Sequence, residues 1–148
     1  PQQAITRGMI AEIIYRMENS PEFSGHSFSD VTAGKYYASA VEWANSVGIV
    51  KGYGDGTFGP EDEITREQFA AILYRYAGYK GYSTSAAADL SSFTDAAHIS
   101  GYAKEAVSWA NAENIIRGRG NGILDPKGGA KRSEAAQMLM NYGLKYTA

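Results

Sequence analysis

The apolar residues of this chain recur at the three- and four-residue spacing of a helix face in two kinds of stretch. The first kind occurs twice, at Ala40, Val41, Ala44 and Val47 and again at Ala106, Val107 and Ala110. The second kind comprises Phe69, Ile72, Leu73 and Tyr76. The pattern therefore predicts two different amphipathic helices in each half of the chain.

The residues between these helices predict where each helix begins and ends. Gly48 follows the first helix and Asn114 takes its place in the copy; both residue types favour the left-handed conformation that ends helices. A Gly-rich loop covers 52–63, and Thr65 and Gln68 have the spacing of a capping box. A helix–loop–helix unit cannot bury both of its faces alone, so we expect an all-α fold of units packed on one another.

Special residues repeat along the chain at one nearly constant offset. Phe28-Ser29-Asp30 recurs as Phe93-Thr94-Asp95, and Trp43-Ala44-Asn45 recurs as Trp109-Ala110-Asn111. A third, partial copy opens the chain, since Ile5-Thr6-Arg7 matches Ile64-Thr65-Arg66. We therefore divide the chain into the closing part of a first repeat (1–19), a second repeat (28–80) and a third repeat (93–148), with Ser- and Gly-containing linkers at 20–27 and 81–92.

Composition excludes several classes of function. The chain has 148 residues, 44% of them hydrophobic, and a net charge of −2, so we expect a folded protein that binds neither nucleic acid nor anionic membranes through bulk charge. It has no apolar run long enough to enter a membrane. With no Cys and two His, neither a metal site nor a cofactor is expected. Eleven Tyr and 17 Gly suit a protein that binds sugars through loops.

Five motifs occur in the same order twice, and together they resemble the S-layer homology (SLH) domain. In the second repeat they are Phe-x-Asp-Val at 28–31, Trp43, Gly-Ile-Val-Lys-Gly-Tyr at 48–53, Asp-Gly-Thr-Phe-x-Pro at 55–60 and Ile-Thr-Arg-Glu at 64–67. The resemblance implies a pseudo-threefold bundle with prongs, whose second helices lie at the centre and whose first helices and loops project outward. It also implies a secreted bacterial protein that is anchored to a pyruvylated secondary cell-wall polysaccharide, at the cell wall or S-layer.

The chain departs from the family pattern at several positions. Ala130-Lys131-Arg132-Ser133 replaces Ile-Thr-Arg-Glu, and Tyr36 stands where the family has Trp. The first repeat lacks its Phe-x-Asp motif and its loop, so we expect weak self-association or a partner chain at the incomplete unit. Pro1 is not an initiator Met and no apolar leader follows it, so we also expect a fragment or a processed piece, which leaves room for a secretion signal upstream.

The resemblance implies an anionic glycan whose pyruvate ketal presents a carboxylate, which a planar guanidinium recognises with two hydrogen bonds. Arg7, Arg66 and Arg132 each follow a helix cap, where the helix dipole adds to their attraction for an anion. The best groove is expected to use Arg66, with Asp30 orienting it and Lys51-Gly52 on the other wall. The alternative is that these arginines pair with Asp30 and Asp95 and lock the units together.

The remaining candidates have two interpretations each. Lys51-Gly52 and Arg117-Gly118 place a cation beside a loop Gly, either to meet a ligand or as a solvated turn. Trp43 and Trp109 either pack in the core or stack on sugars, for which Tyr36 and Tyr53 are better placed. The candidate ligand-binding residues are therefore Arg7, Asp30, Tyr36, Trp43, Lys51, Gly52, Tyr53, Arg66, Asp95, Trp109, Arg117, Gly118 and Arg132.

Three functions compete at this point. The favoured one is a cell-wall glycan anchor; the second is a structural module for self-assembly of a surface protein, with the arginines internal. The third is a small glycan-modifying enzyme, but no Gly-x-Ser-x-Gly, His-Glu-x-x-His or P-loop motif occurs. The acidic residues lie at repeated turn and cap positions, so we expect no catalytic residues.

Overall fold

The computed structural model describes residues 3–146 and divides them into two compact units. One unit is Ile5–Glu63, and the other comprises the described residues of Pro1–Ala4 and Ile64–Ala148. The first two and last two residues of the chain, which the sequence assigns to the first and third repeats, lie outside the described residues.

The unit Ile5–Glu63 contains helix α1 (Arg7–Met17) and helix α2 (Ala38–Ser46), followed by the Gly-rich loop. The two helices pack on each other, and the rings of Tyr15 and Trp43 meet with their centroids 5.7 Å apart. The loop contributes the ring of Phe58, which is fully buried and lies 5.4 Å from the ring of Phe28, centroid to centroid. The hydrophobic core of this unit therefore lies between two helices and one loop.

The second unit contains helix α3 (Arg66–Tyr79), helix α4 (Lys104–Ala112) and helix α5 (Arg132–Tyr146), with short 3-10 turns at Ala96–His98 and Gly101–Ala103. Helix α3 packs on α4, where Tyr74 meets Trp109 edge-on at 5.5 Å. Tyr76 of α3 stacks on Tyr142 of α5 at 5.6 Å. This unit repeats the pairing of α1 with α2 and adds α5.

The all-α prediction is confirmed, since residues 3–146 contain helices and isolated bridges but no strand. The helix ends also match: Gly48 and Asn114 adopt positive φ angles of 83° and 61° after α2 and α4. Thr65 and Gln68 form the expected capping box at the start of α3. None of the helices in this part of the chain is both long and apolar enough to cross a membrane.

The compact units are offset from the sequence repeats. Each unit joins the second helix of one repeat to the first helix and loop of the next. The reason lies in the amide groups that begin each second helix, which need acceptors outside the helix. The amides of Arg7 and Gly8 donate to Asp62 O and Pro60 O, and the amide of Arg66 donates to Gly128 O, each at 2.9 Å.

Helix α5 presents apolar side chains to solvent. Met140 and Leu144 are 56% and 66% exposed. Met140 occupies the position that Tyr74 has on α3, where the first helix of the next repeat covers it. The face of α5 that corresponds to the packed face of α3 therefore remains accessible in this unit.

The start of α5 lacks half of the capping box. In α3 the Thr65 hydroxyl accepts from the Gln68 amide at 3.2 Å, whereas at α5 only the reverse bond remains, from the Lys131 amide to Glu134 Oε1 at 3.0 Å. We predict that Lys131→Thr raises the free energy of unfolding by about 1 kcal/mol, because a hydroxyl at this position accepts one more amide. Chemical denaturation followed by circular dichroism measures the effect, and Lys127→Thr serves as an exposed control. Equal stability of the two variants would contradict the prediction.

Candidate functional site

Two of the predicted anion-binding arginines are buried and hold a loop. Arg7 is 5% exposed; its Nε donates to Phe58 O at 2.9 Å and its Nη2 to Lys51 O at 3.0 Å. Arg66 is 4% exposed; its Nε donates to Leu124 O at 3.0 Å and its Nη2 to Arg117 O. The two guanidinium groups thus make the same pair of bonds in the two units, each across the Gly-rich loop of the following repeat.

The outer surroundings of the two guanidinium groups differ. The guanidinium of Arg7 lies over the rings of Tyr53 and Phe58, at 4.6 and 4.4 Å from their centroids. Nη1 of Arg66 instead donates to Glu134 Oε2 at 3.2 Å. Arg119 stands in the position of Tyr53 and also binds Glu134, through Nε at 2.8 Å. Burial is the main influence lowering the pKa of Arg66, with the positive charge of Arg119 adding to it.

Arg132 is not equivalent to the other two arginines. Its side chain is exposed, and its backbone amide donates to Gln3 O at 2.8 Å. Arg132 therefore lacks the burial that Arg7 and Arg66 share.

Asp30 and Asp95 each bind the backbone of the loop in their own unit. The two carboxylate oxygens of Asp30 accept from the amides of Phe58 and Gly59 at 2.9 and 2.8 Å. Those of Asp95 accept from Leu124 and Asp125 at 3.0 and 2.8 Å. Asp30 thus positions the acceptor of Arg7, the buried arginine of the same compact unit. The expected grouping of Asp30 with Arg66 stays a prediction.

The loop glycines are explained by internal packing. A Cβ atom on Gly52 would lie 2.5 Å from the ring of Phe28, and one on Gly118 would lie 2.8 Å from the ring of Phe93. These rings are the first residues of the Phe-x-Asp motif in each repeat. The glycines therefore allow the motif Phe to pack under the loop.

The remaining candidates divide by exposure. Lys51 and Arg117 are exposed at equivalent loop positions, and Tyr36 and Tyr53 are 56% and 48% exposed. Trp43 and Trp109 are 5% and 0% exposed, so their rings lie in the cores of their units. The Trp109 indole N–H donates to Tyr146 OH at 3.0 Å.

Sequence reasoning missed three buried or shielded carboxylates. Glu42 accepts from the amides of Ser27 and Phe28, and Glu67 accepts from the amide and hydroxyl of Ser100, so both fasten irregular segments to helices. Glu134 binds Arg66 and Arg119. Glu134 follows Lys131 by three residues, as Gln68 follows Thr65, and this spacing could have predicted a backbone contact but not the two ion pairs. Within residues 3–146, no group of three acidic or histidine side chains is placed to hold a metal ion.

We predict that Arg66→Ala lowers the free energy of unfolding by roughly 3–5 kcal/mol, because two loop carbonyls and Glu134 lose their buried partner. Arg66→Lys should recover part of this, since an ammonium group cannot make the planar, forked set of bonds. Urea denaturation measures the change. Arg132→Ala is the matched control and should cost less than about 0.5 kcal/mol, because its side chain is exposed. If Arg66→Ala were as stable as Arg132→Ala, the structural role of Arg66 would be wrong.

The hydrogen bond from the Leu124 amide is the main cause that lowers the pKa of Asp95 in the folded protein. A carboxylate with a lowered folded pKa stabilises the protein above its unfolded pKa of about 3.9, and this contribution is lost as the pH falls through the folded value. We predict that Asp95→Asn is less stable than the native chain at pH 7 by about 1–3 kcal/mol, since it loses a charge-assisted acceptor, and that the difference shrinks below pH 4. Thermal denaturation between pH 2.5 and 7 tests this, with exposed Glu22→Gln as control. A difference that does not vary with pH would contradict it.

Comparison with known proteins adds to this geometry. The family model of the S-layer homology domain matches residues 27–70 and 92–136, which together make up more than half of the chain. Both matched segments contain the Phe-x-Asp motif, the Gly-rich loop and the first turn of the second helix.

Curated relatives match nearly the whole chain but only small parts of their own length. An amylopullulanase of Thermoanaerobacterium thermosulfurigenes is 37% identical over 97% of this chain and 8% of its own. Cell surface glycoprotein 1 of Acetivibrio thermocellus is 30% identical over 94% of this chain and 6% of its own, and a cellulosome-anchoring protein of the same organism is 28% identical over 94% and 32%. The shared region is thus a module within proteins of different kinds, and the amylopullulanase match assigns no catalysis to it. This chain belongs to the S-layer homology domain family.

Proposed function

We propose that this chain is a non-covalent anchoring module that binds an anionic, pyruvylated secondary cell-wall polysaccharide. One observation carries the proposal: an exposed cation, Lys51 or Arg117, occupies the same loop position in both units. In each case the carbonyl of that residue accepts from a buried arginine, so the loop that carries the cation is fixed in place. A cation on a fixed loop recognises a carboxylate at a smaller cost in loop ordering than a cation on a mobile loop.

The exposed aromatic residues supply the apolar part of the proposed site. Tyr53 is about half exposed and lies against Arg7, and its hydroxyl donates to Asp62 at 2.7 Å, which holds the ring in place. Tyr36 and Tyr102 are exposed at equivalent positions in the two units, at 56% and 58%. Tyrosine rings provide an apolar face for a sugar and a hydroxyl for its polar groups. In this proposal the buried arginines shape the loop, and the exposed cations and rings make the first contacts with the polymer.

The proposed location is the outer surface of a bacterium, in the cell wall or S-layer, with the cell-wall glycan as partner. The cell surface glycoprotein and the cellulosome-anchoring protein of Acetivibrio thermocellus, which match this chain over 94% of its length, support that location by their names. In this proposal the module neither catalyses a reaction nor inserts into a membrane, and it does not bind nucleic acid.

The pseudo-threefold arrangement of the three second helices is also part of the proposal. Its support is a set of three isolated antiparallel bridges, Ala4–Lys131, Thr6–Glu63 and Thr65–Gly129. In each bridge, one residue directly precedes a second helix. Its partner lies three positions before the second helix of a different repeat. Three bridges of one kind that link three repeats in a cycle are what a threefold arrangement requires.

A second candidate function is self-assembly, favoured by the exposed apolar face of α5 at Met140 and Leu144. A patch of this kind often marks a protein contact. This alternative requires concentration-dependent association in the absence of polymer, and sedimentation of the same samples measures it.

We predict that the chain binds purified pyruvylated wall polymer and that chemical removal of the ketal weakens binding by at least about tenfold, because the carboxylate is lost. Lys51→Gln should weaken binding to the pyruvylated polymer but leave binding to the ketal-free polymer unchanged. Titration calorimetry measures both, with exposed Lys35→Gln as the matched control. Equal binding to both polymers by the native chain would overturn the proposed ligand chemistry.

A further inference from the structure

The Nη1 atom of Arg66 is already paired with a carboxylate of the chain, that of Glu134. Nη1 of Arg66 donates to Glu134 Oε2 at 3.2 Å, and Arg119 donates to the same carboxylate through Nε at 2.8 Å. The Lys131 amide donates to Glu134 Oε1 at 3.0 Å. Two guanidinium groups and one backbone amide therefore surround one carboxylate, an arrangement that suits any small carboxylate.

The two units differ in the charge of the loop that surrounds the buried arginine. Residues 117–132 contain five Lys or Arg and one acidic residue, whereas the equivalent residues 51–66 contain two Lys or Arg and four acidic residues. All five cations of the first segment are exposed. Where the unit of Ile5–Glu63 places Tyr53 against its buried arginine, the other unit places Arg119 and a carboxylate. The cationic segment therefore attracts an anion from solvent, while its best anion position is filled from within the chain.

We propose that Glu134 is a built-in competitor for the ligand carboxylate at Arg66 and Arg119. The inference rests on the proposed function, because it describes how the anionic polymer reaches one of the two loop sites. A ligand carboxylate displaces Glu134 and then takes over its bonds from both guanidinium groups. The site in this unit therefore binds its ligand more weakly than its cations alone would allow.

The competitor is charged at neutral pH. Partial burial acts to raise the pKa of Glu134, but the hydrogen bonds from Arg119 and the Lys131 amide, together with the charges of Arg119 and Arg66, lower it below the usual value. Glu134 is 23% exposed, so its carboxylate has a path to solvent when it leaves the two arginines. The exchange of one carboxylate for another leaves both guanidinium groups paired throughout.

The test uses Glu134→Gln, which keeps an oxygen for the Lys131 amide but removes the charge. The matched control is Glu12→Gln, which removes the same charge from an ion pair with Arg16 at 2.8 Å on α1. Binding of purified pyruvylated polymer to the whole chain should become about tenfold tighter for Glu134→Gln and change less than twofold for Glu12→Gln. Equal or weaker binding by a folded Glu134→Gln, with the native chain binding the polymer, overturns the inference.

A second measurement separates this inference from the proposed function. Sodium pyruvate is titrated against the native chain and Glu134→Gln while the Arg66 side-chain signals are followed by NMR. We expect the signals to shift in the variant at pyruvate concentrations that leave the native chain unchanged. If neither protein binds the polymer, the proposed function fails, and the pyruvate shift alone decides the inference. If Glu134→Gln does not fold, Glu134→Asp replaces it, because its shorter side chain keeps the charge but loosens the contact with Arg66. Glu134→Asp should then bind the ligand more tightly than the native chain, and equal or weaker binding overturns the inference.

Discussion

The structure depends on a guanidinium group that is inserted under a loop of the following repeat. Arg7 and Arg66 are each buried, and each donates to two carbonyls that lie on opposite sides of the Gly-rich loop. A buried charge is tolerated only when its donors are satisfied, so this contact requires one loop geometry and excludes others. The same contact joins the end of one sequence repeat to the start of the next.

The Asp of the Phe-x-Asp motif, Asp30 or Asp95, fixes the same loop through the backbone amide of a loop residue. Phe58 donates its amide to Asp30 and gives its carbonyl to Arg7; Leu124 does the same with Asp95 and Arg66. In each unit, one loop residue therefore donates its N–H to a carboxylate and accepts a guanidinium hydrogen bond at its carbonyl. The adjacent loop cation, Lys51 or Arg117, is carried on a rigid support without being buried itself. The exposed cation of each loop thus lies in solvent, while the buried arginine that fixes the loop lies in the core.

The two units use this shared scaffold differently. In one, the buried guanidinium lies over the rings of Tyr53 and Phe58. In the other, it meets Glu134, and Arg119 replaces the tyrosine. The sequence differs here at two positions, because Arg119 stands where the other repeat has Tyr53 and Glu134 stands where it has Gln68. The second guanidinium offsets the cost of holding the carboxylate near the core. The two units therefore differ in what meets the buried arginine, which is a pair of aromatic rings in one and a carboxylate in the other.

The sequence by itself determined the helical class, the repeats, the helix ends at Gly48 and Asn114, and the capping box at Thr65. These features depend on local backbone preferences and on the spacing of apolar residues, which neighbouring positions in the chain already specify. Only the tertiary structure decided that Arg7 and Arg66 are buried, that Arg132 is exposed, and that Asp30 serves Arg7. The physical reason is that a buried charge binds whichever acceptors the packed chain brings within reach, and those acceptors lie in the next repeat, between about 45 and 60 residues away.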